Sequence, residues 1–154
     1  MPENRLACEV AIATGLRIGD VLALKSEGLK QRMTIYEQKT GKRQRVYIPN
    51  RLFERLQRQA GRTYVFPHRY NEKKHRTRQA VYKDVVRAAK AFRLAEHVSP
   101  HSLRKIYAVD LYHKTGSPEE VQRKLNHSDA SISAIYFLAD QLSKRRDRSK
   151  LDKR

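Results

Sequence analysis

One cysteine, Cys8, in 154 residues leaves no partner for an intrachain disulfide and too few thiolates for a cysteine-based zinc site. Long hydrophobic runs are missing as well. Blocks such as residues 10–13 and 21–24 are short, and every apolar run is far below the ~18 residues of a membrane-spanning helix. Where a secretory signal would place a basic start and an apolar core, the N-terminus carries Glu3, Arg5 and Glu9. Together these absences point to a reduced, cytoplasmic setting. Acidic residues are scarce: 16 Asp and Glu stand against 34 Lys and Arg, a formal charge of +18, and no acidic cluster suggests a magnesium site. Internal repeats are absent.

What is present is the charge balance of a polyanion binder. Three basic clusters stand out, at residues 39–58, near 69–78, and in the tail SKRRDRSKLDKR, which has seven basic and two acidic residues. Tyr47, Tyr64 and Tyr70 lie among them and could pack on sugar or base, and the abundance of Arg suits bidentate phosphate contacts. Lys42, Arg43, Arg45, Arg76 and Arg78 are the candidate DNA contacts; the plain alternative is a solvated charged face. Hydrophobic residues, 39% of the chain, fall in periodic blocks, enough for one compact domain and against global disorder.

The periodicity predicts mostly helices. Leu6, Val10, Ala13, Val21 and Leu24 suggest helix over 3–25, broken at Thr14-Gly15-Leu16-Arg17, with Gly15 ending the first segment. Residues 33–38 and 43–49 read as strands around the turn Lys39-Thr40-Gly41-Lys42. Asn50 is placed as the cap of a helix to about Ala60; residues 64–67 read as a short extended piece, and 68–76 as a basic loop. Further helices are expected around Val81–Phe92, from Ser99-Pro100 to about Lys114, from the capping box Ser117-Pro118-Glu119-Glu120, and from about residue 128 to 142. The basic tail 143–154 has no apolar stripe.

His101 and Arg104 are three residues apart in the first turn of a predicted helix, so both project to the same side near unsatisfied backbone N–H groups, a phosphate cradle. His127 follows a helix break, and Tyr136 comes nine residues later. Taken singly, Tyr136 reads as a half-buried helix aromatic, His127 as a helix-end residue and Arg17 as a surface charge.

Taken together the sequence resembles the tyrosine recombinases, or phage integrases. His-Ser-Leu-Arg at 101–104, Leu-Asn-His-Ser at 125–128 and Tyr136 carry the resemblance at the C-terminal side. Thr-Gly-Leu-Arg-Ile-Gly-Asp-Val-Leu-Ala-Leu at 14–24 resembles the family's first arginine box, and Lys39 stands where the family keeps a catalytic lysine. Asn126 departs from the usual glycine, and Lys105 stands where histidine is frequent. The resemblance implies a mainly α fold with a small antiparallel β-sheet (α+β), a catalytic domain over 1–142 followed by the tail, and absence of the family's upstream DNA-clamping domain.

It also implies a chemistry. Tyr136 would attack the scissile phosphate, giving a 3′-phosphotyrosyl bond and a free 5′-hydroxyl, so that religation needs neither ATP nor a metal and no cofactor is expected. His101 would accept the phenol proton, Arg17, Arg104 and His127 would hold the non-bridging oxygens, and Lys39 would protonate the leaving 5′-oxygen, with Lys42 as the other candidate lysine. Asp20 would orient neighbouring side chains. Replacing Arg104 by alanine would then leave folding intact while abolishing cleavage. The expected partners are double-stranded DNA and further copies of the chain in a tetrameric synapse. A type IB topoisomerase, a telomere resolvase and a non-catalytic basic DNA- or RNA-binding module are the alternative functions.

Overall fold

Gly15 sets the first boundary in the chain. In the computed structural model, which describes residues 1–94 and 98–125, helix α1 (Pro2–Thr14) stops where Gly15 turns left-handed at φ 72° and donates its N–H to the Ala11 carbonyl at 2.9 Å. Helix α2 (Ile18–Leu22) starts three residues later, as the sequence pattern predicts. Leu6, Ala7, Val10, Ala11 and Thr14 form the buried stripe of α1 at helical spacing.

Strands β1 (Arg32–Tyr36) and β2 (Arg43–Tyr47) form an antiparallel hairpin with Met33 opposite Val46 and Ile35 opposite Gln44. That register turns Met33, Ile35, Gln44 and Val46 inward, while Arg32, Thr34, Tyr36, Arg43, Arg45 and Tyr47 face outward. Helix α3 (Asn50–Gln59) corrects one expectation. Pro49, not Asn50, occupies the cap position, because its extended backbone leaves the carbonyl to accept from Leu52 and Phe53, both at 2.9 Å. The Asn50 amide instead donates to Glu54 Oε1 at 3.0 Å.

The basic stretch 68–76 is not a simple loop. Strands β3 (Pro67–His68) and β4 (Asn71–His75) pair as a second two-stranded sheet. The wholly polar Asn-Glu-Lys-Lys-His sequence lacks the apolar alternation by which strands are recognised. Helix α4 (Arg78–Ala91) is capped by the Thr77 hydroxyl, which accepts from the Ala80 N–H at 3.2 Å. Helix α5 (Pro100–Thr115) ends at left-handed Gly116, and helix α6 (Pro118–Lys124) is capped by Ser117, whose hydroxyl accepts from the Glu120 N–H at 3.2 Å. The return arm of the expected capping box is replaced: Thr115 Oγ1 takes the Ser117 N–H at 3.3 Å, and Glu120 pairs with Arg123.

Two compact units divide the chain, Met1–Arg104 and Lys105–Arg154, each with its own apolar cluster. The first unit gathers Val10, Leu16, Val21, Leu22, Ile48, Leu56, Val65, Phe66 and Val81, all essentially without solvent exposure. Each fully buried side chain of this size contributes about 1.5–3 kcal/mol. Ala108, Val121 and Leu125 form the cluster described in the second unit, with Tyr107, Leu111 and Tyr112 against it. The helix expected from about 128 and the tail 143–154 lie outside the described residues. Among the described residues no helix is long and apolar enough to cross a membrane.

Candidate active site

The junction between α1 and α2 builds the centre of the site. Leu16 and Ile18 are buried on either side of Arg17, so the chain is anchored by two apolar side chains and presents the residue between them. Arg17 takes the extended conformation of a helix cap, φ −65° and ψ 143°, and its carbonyl accepts from Asp20 at 2.9 Å and Val21 at 3.1 Å. Its guanidinium meets the carboxylate of Glu37, Nη1 to Oε2 at 2.5 Å.

Glu37 follows β1 directly and continues its inward face after Met33 and Ile35. Its side chain is completely buried. The same carboxylate oxygen accepts from the Thr40 hydroxyl at 2.5 Å, and the Glu37 backbone closes the turn, donating to the Lys42 carbonyl at 3.0 Å and accepting from Gly41 at 2.8 Å. Asp20, also buried, accepts the Gln38 N–H through Oδ1 at 2.9 Å. The turn carrying Lys39 is therefore fastened to α2 at Gln38 and to Arg17 through Thr40 and Glu37. Lys39 itself is exposed between these two anchors, and Lys42 is exposed on the returning side.

Helix α5 supplies the second arginine. Arg104 is buried, and its Nη1 donates to the Gly15 carbonyl at 2.8 Å, two residues before Arg17. Because Gly15 ends α1, its carbonyl lacks the next helical turn as a partner, and a cation is the favoured group at that position. His101 lies one turn earlier on α5 and is exposed. The expected side-by-side pair thus divides between an outward imidazole and an inward guanidinium.

Arg78, the first residue of α4, lies against the same region. A Cβ added to Gly19 would stand 3.3 Å from Arg78 Cδ and 4.0 Å from Gln38 Oε1, so both side chains border the α2 backbone. Arg43 and Arg45 project from the outer face of the hairpin, where Arg43 pairs with Tyr36 and Arg45 with Thr34, and Arg32 lies 5.5 Å from the Tyr47 ring centre. Arg76 is placed differently from the surface contact expected of it. Its guanidinium donates to Asn4 Oδ1 at 2.8 Å and lies 3.8 Å from Glu3, leaving 13% of the side chain exposed and tying α1 to the end of β4.

The structure therefore brings Arg17, Asp20, the Lys39 turn, Arg78 and Arg104 to the α1–α2 junction. His127 and Tyr136 lie outside the described residues. Sequence reasoning missed Glu37, although a signal existed: the two-residue period that turns Met33 and Ile35 inward also turns residue 37 inward, and a carboxylate there needs a buried partner.

Two arginines held at one helix junction beside a lysine-bearing hairpin accord with the comparisons to known proteins. The family model described as the phage integrase family matches residues 2–142. The chain belongs to the phage integrase family. Among its relatives is the probable integrase/recombinase YoeC of Bacillus subtilis (strain 168), 29% identical over 84% of this chain and 74% of that protein. Tyrosine recombinase XerD of Bradyrhizobium diazoefficiens is 30% identical over 86% of this chain and 48% of its own length. In fold, this integrase-family chain is similar to the site-specific recombinase XerH bound to its palindromic difH substrate in a post-cleavage complex. There the TM-score is 0.73 and the identity 24%, over 97% of this chain and 46% of that one. The chain spans about half the length of XerD and XerH.

Proposed function

We propose that this chain is the catalytic part of a site-specific tyrosine recombinase that cleaves and rejoins duplex DNA through a 3′-phosphotyrosyl intermediate. The observation that carries this reading is the bond from Arg104 to the Gly15 carbonyl, which ties the second family arginine to the loop of the first. Two guanidiniums fixed to one loop suit two non-bridging oxygens of one phosphate, whose charge grows as phosphorus becomes pentacoordinate.

In this reading Tyr136 attacks phosphorus, His101 accepts the phenol proton, and His127 donates a further bond to the phosphate. Lys39 protonates the leaving 5′-oxygen; the anchoring of both its chain neighbours favours it over Lys42. Lys42, Arg43, Arg45 and Arg78 hold the DNA backbone, and Arg76 supports α1 instead. Residues 1–142 form the catalytic domain and 143–154 the basic tail. The partners are double-stranded DNA and further protomers in a tetrameric synapse, in the cytoplasm on the nucleoid.

A suicide-substrate trap tests this. Nicked duplexes randomised across the core are incubated with the protein, denatured, and searched for a covalent adduct by gel and mass spectrometry. The expected adduct has the 3′-phosphate on Tyr136 and is lost in Tyr136→Phe. Failure to form any adduct, even with an upstream DNA-clamping domain and native flanking DNA supplied, leaves a non-catalytic binder.

A further inference from the structure

We infer that Glu37 is a positioning residue, whose buried carboxylate holds the phosphate-binding Arg17 and the turn bearing Lys39 in one fixed relation. The inference rests on the reaction proposed above and adds a residue to which neither the family match nor the sequence pattern assigned a role. One oxygen of Glu37 meets Arg17 Nη1 and the Thr40 hydroxyl, each at 2.5 Å, and the peptide groups of Glu37 bond to Gly41 and Lys42 across the turn. A charged group buried with several such bonds has few alternative positions, because any movement leaves it unpaired in a medium of low polarity.

As the Tyr136 oxygen bonds to phosphorus, the bond from phosphorus to the 5′-oxygen breaks, the phenol proton passes to His101, and a Lys39 proton passes to the departing oxygen. Arg17 binds the phosphate and Lys39 serves an atom of that same phosphate, so their separation must be constant. Glu37 sets it: a loosened turn would still carry its lysine and would present it at the wrong place. Displacements of about 1 Å at such a distance from the reacting atoms cost up to about a hundredfold in rate.

Two substitutions divide the contact. Thr40→Val frees the turn from the carboxylate while keeping the Arg17 pair, and also removes the hydroxyl that accepts the Lys42 N–H at 3.3 Å; Thr40 is exposed, so the fold tolerates the change. Glu37→Gln keeps the side-chain shape and removes the charge felt by Arg17 as well. Amide exchange in the full chain, without DNA, reads the coupling directly: the Gln38 and Gly41 amides exchange about threefold to tenfold faster in both variants, the loss expected as hydrogen bonds of the turn are weakened. Cleavage is then measured on nicked duplexes, randomised across the core, that carry either oxygen or sulfur as the bridging 5′ atom. A thiolate leaves without a proton, so sulfur removes the need for Lys39.

On the oxygen substrate both variants cleave about tenfold to a hundredfold more slowly. On the sulfur substrate Thr40→Val returns to the wild-type rate, and Glu37→Gln recovers in part, the remainder being the share of Arg17. Equal losses on oxygen and sulfur, or unchanged exchange at Gln38 and Gly41, overturn the inference. If the unaltered protein gives no adduct on any duplex, the recombinase reading falls, and the exchange rates alone decide whether Glu37 holds the turn.

Discussion

Replacing Arg104 by methionine removes a guanidinium while keeping most of the stem. In the folded chain that guanidinium donates to the Gly15 carbonyl at 2.8 Å, within a residue only 4% exposed. A hydrogen bond from a charged donor contributes about 1.5–3 kcal/mol, and its loss leaves the buried carbonyl where α1 ends without that donor. Arg104→Ala also deletes two methylenes, about 0.8 kcal/mol each, for a total of about 3–5 kcal/mol. The expectation from sequence, that alanine here spares folding, is therefore revised: a residue assigned to phosphate also holds the helix junction. Urea unfolding of the first unit, followed by circular dichroism and by amide exchange in α1 and α2, gives the cost as a shift in midpoint at constant slope. Cleavage by Arg104→Met should fall by about a hundredfold to a thousandfold at temperatures where the variant stays folded. If Arg104→Met and Arg104→Ala both lie within about 0.5 kcal/mol of the unaltered protein, the bond to Gly15 does not carry the junction and the reasoning fails.

Three further outcomes follow from the same packing. Leu56, fully buried on α3 in the first cluster, should cost about 2–5 kcal/mol when replaced by alanine, measured by denaturant unfolding; a loss below about 1 kcal/mol would show that the site collapses around the cavity. Burial by itself would raise the Glu9 carboxyl, but the Arg55 and Arg5 guanidiniums bonded to it outweigh that and hold it below the usual glutamate range. A depressed folded-state value means that this stability is present above about pH 4.5 and drains away as pH falls through the lower value, so Glu9→Gln should flatten the acid limb of a stability profile; an unchanged limb refutes the pairing. Burial, then the Glu9 and Asp84 carboxylates, push the Cys8 thiol up to about 11, so iodoacetamide at neutral pH should label the folded protein far more slowly than the unfolded chain, and equal rates would contradict that environment.

The parts of this fold legible in the sequence are those decided between near neighbours. Gly15 breaks α1 because only a residue without Cβ adopts the left-handed turn there cheaply, and Lys39-Thr40-Gly41-Lys42 separates two alternating segments that become β1 and β2. Thr77 was not marked as a cap, although its hydroxyl serves a residue only three positions on. The second hairpin was illegible because β4 is polar on both faces, and Asn50 lost the cap position to a proline whose extended backbone already met the first helical N–H groups.

The chemistry-bearing residue types at 17, 39, 101, 104, 127 and 136, and the basic charge that suits DNA, were determined by the sequence itself. Their spacing carries the family resemblance. Tertiary structure alone decided what Arg17 and Arg104 touch. Glu37 is 20 residues from Arg17, and Gly15 is 89 from Arg104, so no helical or strand period relates either pair. Buried charges must find partners wherever the fold brings them, since an unpaired ion in the interior costs several kcal/mol. That requirement acts across the chain rather than along it, which is why the turn of Lys39 and the junction of α1 with α2 meet through a carboxylate that local sequence patterns left unassigned.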